Sequence, residues 1–186
     1  MNQIYTHPKR KTKVVFVQLG SPSEPTTTAL RKYLRKFLGD PRVIDINPWL
    51  WKIILNFFVL PFRPKKSAKL YARIWDGKSF PLITNTRDFT INVREELKKI
   101  DPNGYVEVNH AFLLSPPYVN EVYDSWEDDL KKGVGATKLL VIPMFPQYSE
   151  STIASGIDAL AKELSKRVKI PTFEVITNFH RTHAFI

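Results

Sequence analysis

A chain of 186 residues with 43% apolar and 12% aromatic side chains suits one packed domain, is too short for two generous ones, and is not disordered in composition. The absence of cysteine removes disulfides, iron–sulfur ligation and thiolate catalysis, and fits a reducing compartment. A net charge of +10, from 28 Lys and Arg against 18 Asp and Glu, calls for an anionic partner, yet no recognition-helix, zinc-finger or RNA-binding signature supports specific nucleic-acid binding.

The first residues lack the apolar stretch of a signal peptide, so residues 1–12 are expected to form a mobile basic arm of a cytoplasmic protein. Residues 13–19 read as a first buried strand, turned sharply by Gly20, Ser21 and Pro22. One glycine there is not a dinucleotide fingerprint. Pro25 and the threonines at 26–28 start a helix whose inner face is Leu30, Tyr33, Leu34, Phe37 and Leu38, ended by Gly39, Asp40 and Pro41. After a short apolar segment at 43–46 comes a stretch, 48–62, that is apolar on nearly every side. It is too short to span a bilayer. It suits either a buried core helix or an element in a membrane interface, because a basic run at 63–66 follows its paired tryptophans.

Residues 67–75 read as a helix with Leu70, Tyr71 and Ile74 inward, and Asp88 as the cap of a helix to Ile100 faced by Phe89, Val93, Leu97 and Ile100. A second strand at 105–112 is followed by Pro116 and Pro117, which open a helix with Val119, Val122, Tyr123, Trp126 and Leu130 inside. Lys138 to Met144 is an unalternating apolar run, as in a central parallel strand covered on both faces. A turn over 145–149 leads into a helix capped by Ser149 or Ser151, with Ile153, Ile157, Leu160 and Leu164 on one face. Residues 172–177 form a last strand. The expected fold is α/β: one domain over 1–186 with a flavodoxin-like parallel four-stranded sheet and helices on both faces. Open α/β sheets bind ligands at the carboxyl ends of their strands, which makes the turn 145–151 the first candidate surface.

Four segments carry a family resemblance: Gln18-Leu19-Gly20-Ser21-Pro22, the run 37–44 around Gly39-Asp40-Pro41, Arg63-Pro64-Lys65-Lys66-Ser67, and above all Pro146-Gln147-Tyr148-Ser149-x-Ser151-Thr152. In order, over nearly the whole chain, these resemble ferrochelatases, which insert ferrous iron into protoporphyrin late in haem synthesis. The resemblance implies a chelatase-like fold and covers only the first of the family's two similar domains, between which the porphyrin lies. It implies porphyrin contacts by Leu19 near the metal-entry side, by Trp49, Ile53 and Phe57 of an apolar lip within 48–66, by Arg63 and Lys66 toward the propionates, and by Phe145, Ser149 and Ser151 at the turn.

The departures are equally specific. Where the family reads Met-Arg-Tyr-Gly-x-Pro after its second strand, this chain has Leu113 and Leu114 in place of the arginine and tyrosine. A leucine neither anchors a carboxylate nor relays a proton. Phe145 stands where tyrosine is frequent, and the family's Ser-Ala-His-Ser-Leu-Pro motif with its catalytic histidine does not occur. Four histidines are present: His7, His110, His180 and His183. His180 and His183 have ligand spacing for a helix but form only a weak metal candidate, and His110 is the histidine expected nearest the ligand edge. The expectation is therefore a ferrochelatase-related half-protein without catalytic residues or bound cofactor, porphyrin or haem being its possible ligand. Alternatives are half of a split or homodimeric chelatase whose partner chain supplies the second domain, a non-enzymatic porphyrin or haem binder at an anionic membrane surface, and a degenerate product without activity.

Overall fold

The structure, a computed structural model, describes residues 11–133, 135–183 and 185–186. The expected basic arm falls outside the described residues except at its end, where Thr12 already belongs to the first strand. Four parallel strands, β1 (Thr12–Gln18), β2 (Val106–Phe112), β3 (Lys138–Pro143) and β4 (Thr172–Val175), form one sheet in the order β2-β1-β3-β4. Val14 lies opposite Val108 on one side and Leu140 on the other, so β1 is central, with an unbroken apolar run from Val14 to Val17. Direction reverses between β1 and β3, which places a crevice at their carboxyl ends.

Helices α5 (Val119–Lys131) and α6 (Ser155–Leu164) cover one face. Val122, Tyr123 and Trp126 from α5 and Leu160 and Leu164 from α6 pack on Val15, Val17, Leu139 and Val141. The Trp126 indole donates to the Ala136 carbonyl at 2.7 Å, satisfying its polar edge within the core. On the other face α4 (Pro81–Ile100) lays Val93 and Leu97 over Val14, Phe16 and Val108. That face is only partly covered over β3: Leu140, Ile142 and Met144 stay half-buried, in contrast to the two-sided burial expected of this strand. The expected α/β class holds.

Helix α1 (Thr27–Leu38) is capped by the Thr26 hydroxyl, which accepts from the Ala29 amide at 3.2 Å. Its inner residues Tyr33, Leu34 and Leu38 meet Leu55 and Leu60 of the following segment. That segment comprises α2 (Pro48–Ile54), a π-helical turn (Leu55–Val59) and α3 (Arg63–Tyr71) with a 3₁₀ turn at Ala72–Ile74. It is not a buried core helix. Only Leu55, Leu60, Pro64 and Ala68 go inside, whereas Trp49 is 78%, Phe57 70% and Phe62 72% exposed.

Three further expectations are corrected. Helix α3 starts four residues before position 67 and leaves Leu70 and Ile74 on the surface, since Ala68 and Pro64 are the residues that face α1. Helix α4 starts at Pro81, whose fixed φ and missing N–H suit a first turn, and Asp88 lies inside it paired with Arg87 at 3.0 Å. Its buried line is Thr86 and Thr90, continued by half-buried Val93 and Leu97; Phe89 is 43% exposed yet sets its ring against Phe16 at 5.1 Å, and Ile100 lies outside. The two hydroxyls go inside at little cost because each donates to the carbonyl four residues earlier, at 2.7 and 2.8 Å.

Candidate functional site

The carboxyl ends of the strands bring together the loops after Gln18, Phe112, Pro143 and Val175. Two hollows open there. The larger, about 460 Å³, lies between α1, the loop leading into α4 and the loop after β2. Its aromatic side runs from Tyr33 on α1 through Tyr71 to Phe80 and Trp75, with ring centroids 6.2, 5.5 and 4.7 Å apart. Phe80 is 1% exposed, so this wall is anchored in the core. The Tyr33 hydroxyl donates to the Gly20 carbonyl at 3.3 Å, and burial, then Tyr71, push its pKa above the usual phenol range.

The rim is cationic. Lys32, Arg35, Lys36 and Lys78 line it, and among the described residues neither a carboxylate nor a histidine does. Lys36 donates to the Tyr118 hydroxyl at 3.1 Å and stands 4.7 Å from the centroid of that ring. Such a surface is complementary to an anion carried on a flat apolar body, and no carboxylate or histidine among its described lining residues could take a proton from one. Of the expected porphyrin-contact and departing positions only Leu114 lines this cleft, closing its wall after β2, together with Ser21 and Pro22 of the first resemblance segment. Three of its cations, Lys32, Arg35 and Lys36, sit on the outward face of α1, where lysines and arginines are ordinary and mark no site in the sequence.

The second hollow, about 410 Å³, contains part of the sequence candidate: Phe145, Ser149, Thr152 and His180 line it. Ser149 flanks the π-helical turn Glu150–Ala154 that leads into α6, and its hydroxyl pairs with that of Thr152. It does not cap the backbone, contrary to expectation; Ser151 is half-buried within the turn. The Pro146 carbonyl accepts from the His180 amide at 3.1 Å and lies 3.3 Å from His180 Nδ1. His180, more than His110, is thus the histidine at the ligand edge. His180 and His183 stand in an irregular turn instead of a helix, and no group of three His, Cys, Asp or Glu that could hold a metal ion occurs among the described residues. His110 lies inside β2 with Nδ1 buried and unpartnered, its ring 5.5 Å from Phe112.

Between the hollows Leu19 is half-buried, its carbonyl accepting from Leu114 at 3.0 Å while Gln18 accepts from Leu113. The two leucines at the departing positions turn inward: Leu113 packs against the core under α5 and α6, Leu114 against that under α1. Trp49, Ile53 and Phe57 form an exposed ridge, and Arg63 and Lys66 stand exposed beyond it. The lip is tied down by the Trp51 indole donating to the Leu38 carbonyl at 2.6 Å. A two-pronged pair of Arg42 with Asp158, at 2.9 and 3.2 Å, joins the loop before it to α6. The hydrogen bond from Arg42 holds the Asp158 carboxyl below its ordinary range.

The comparison that decides the family is a match to the ferrochelatase family model over residues 11–186. The chain belongs to the ferrochelatase family. It is 41% identical over 176 residues to a ferrochelatase of Idiomarina loihiensis, an alignment covering 95% of this chain and 47% of the relative. It is 39% identical to a ferrochelatase of Actinobacillus pleuropneumoniae, covering 95% and 53%. A coproporphyrin III ferrochelatase of Streptococcus mutans is 37% identical, covering 96% and 54%. The chain spans about half the length of the curated relatives it matches. Within the ferrochelatase family, then, this chain corresponds to one α/β half, with its sheet edge and two hollows in place.

Proposed function

We propose that this chain forms one wall of a tetrapyrrole-binding site and does not insert metal by itself. The observation that carries the reading is the larger cleft, an aromatic floor rimmed by four cations with no carboxylate or histidine among the described residues that line it. A carboxylated porphyrin offers the complementary surface, a flat apolar ring with anionic edges. Metalation further requires a base for two pyrrole protons; a partner chain that carries one would supply it with the opposite wall, whereas a second copy of this chain would supply the wall. Two assays on the purified chain test the proposal. A Soret titration with mesoporphyrin should show binding, and zinc insertion should stay at the rate of the protein-free control. Robust turnover by the chain alone refutes the second half, and an unshifted Soret band the first. Sedimentation that finds only monomer at high concentration removes the homodimer.

A second reading rests on the exposed ridge. Trp49, Leu50, Ile53, Phe57, Phe58 and Phe62 present a continuous apolar surface beside exposed Lys52, Arg63, Lys65 and Lys66. This arrangement suits peripheral docking on an anionic bilayer, with no spanning segment: no helix among the described residues is long and apolar enough to cross one. Flotation with phosphatidylserine vesicles should recover the chain, less so in high salt. Equal recovery with neutral vesicles would remove the cations from this reading.

A further inference from the structure

Of the four cations around the larger cleft, one differs from the others. The side chains of Lys32, Arg35 and Lys78 make no ion pair or hydrogen bond among the described residues, whereas Lys36 on α1 is held by Tyr118, the residue that precedes α5. The ammonium hydrogen-bonds to the phenol oxygen at 3.1 Å and lies 4.7 Å from the ring centroid, so both the charge and the donor are spoken for by one side chain. Tyr118 is itself fixed in place. Its backbone amide donates to Glu121 at 3.0 Å, and the neighbouring Pro117 carbonyl accepts from Phe112 at the end of β2 at 2.8 Å. A lysine ammonium has three donors and the tyrosine hydroxyl keeps its own proton when it accepts, so the pair retains two ammonium hydrogens and one phenolic hydrogen.

We infer that Lys36 and Tyr118 together are the carboxylate anchor of this cleft, and that Lys32, Arg35 and Lys78 act by attraction at a distance. This deepens the proposed function and rests on it: the carboxylate is a side-chain acid of the tetrapyrrole. Preorganisation is the physical reason. A surface lysine loses rotamer freedom when it grips an anion, and Lys36 has surrendered part of that freedom to Tyr118 before the ligand arrives. The loop after β2 places Leu114 and Pro116 on the adjoining wall, and the serines that also line the cleft, Ser21, Ser23, Ser79 and Ser115, carry no charge to compete for a carboxylate.

The test compares mesoporphyrin free acid with its dimethyl ester, both in the same detergent, by Soret titration. Lys36→Met should weaken the free acid roughly tenfold, the scale of one charge-assisted hydrogen bond, and leave the ester unchanged. Lys36→Arg should retain most of the affinity. Tyr118→Phe should cost roughly threefold alone and almost nothing in the Lys36→Met background, because the two act as one unit. Lys69→Met, on the exposed surface of α3, is the control for net charge. A loss for Lys36→Met no larger than for Lys69→Met, an equal loss for the ester, or additive effects of the two substitutions overturns the anchor while porphyrin binding stands. If the unmodified chain binds neither form, the proposed function falls and the anchor with it. Both side chains reach solvent, and unchanged thermal melting of the variants verifies that the fold is intact.

Discussion

Gly20 ends the first strand with φ +92°, in the left-handed region, and an added Cβ would run into the Ser115 hydroxyl. That hydroxyl accepts from the Ser21 amide at 3.3 Å, so the two loops that flank the larger cleft meet at this residue. Gly20→Ala is expected to lower stability by about 3 kcal/mol, strain and overlap together, read as a shift in urea midpoint. His110 makes a pH-dependent contribution. Burial first, then the cations Arg94 and Arg87, hold its pKa below the ordinary 6.5. Below that value the unfolded chain takes up a proton that the folded chain refuses, so stability falls as the solution is acidified through the unfolded pKa. Unfolding free energies at about pH 7.5 and about pH 5.5 should differ by less in His110→Phe than in the parent chain. An unchanged slope would show that the imidazole is not responsible.

At the scale of elements, α5 and α6 are joined outside the sheet by Arg167. Its guanidinium reaches Asp124 at 2.6 Å, Glu127 at 3.1 Å and Glu163 at 3.7 Å, and stacks 5.1 Å from the centre of the Tyr123 ring. Arg167→Ala should cost about 1–2 kcal/mol, more than an isolated surface pair, since three carboxylates lose their common cation. Gly156 works in the opposite sense. It is a buried glycine inside α6, and a Cβ there would lie 3.9 Å from the nearest Val17 methyl, in ordinary contact. Gly156→Ala should raise stability by about 1 kcal/mol through helix propensity and closer packing. Elements with one clear face were legible from the amino acids alone: α1 has a cap at Thr26 and a single apolar stripe, and β1 has an unbroken apolar centre from Val14 to Val17. Helix α4 was not, because its buried line contains threonines that satisfy their hydroxyls locally and so look like surface. The segment 48–62 has apolar residues all round, which carries no information about the direction it faces. The larger cleft was illegible for a different reason. Its walls come from α1, the loop before α4 and the loop after β2, far apart in sequence and each unremarkable alone.

For the whole molecule, the folded core and the exposed ridge are energetically separate. Leu60 is 2% exposed and Phe57 70%, three residues apart in one segment. Leu60→Ser should destabilise by about 3 kcal/mol, whereas Phe57→Ser should stay within about 0.5 kcal/mol and reduce vesicle recovery. A chain in which both substitutions cost the same would mean that the ridge belongs to the core. The order of the strands has a consequence for biosynthesis. The middle strand is made first, yet its two neighbours begin at residues 106 and 138, so a ribosome must release most of the polypeptide before the centre of the sheet can close. Until then the apolar centre of β1 waits beside the emerging segment 48–62 with nothing to pair with. Nascent chains halted before residue 138 should therefore bind holdase chaperones, and those extended past residue 175 should let go.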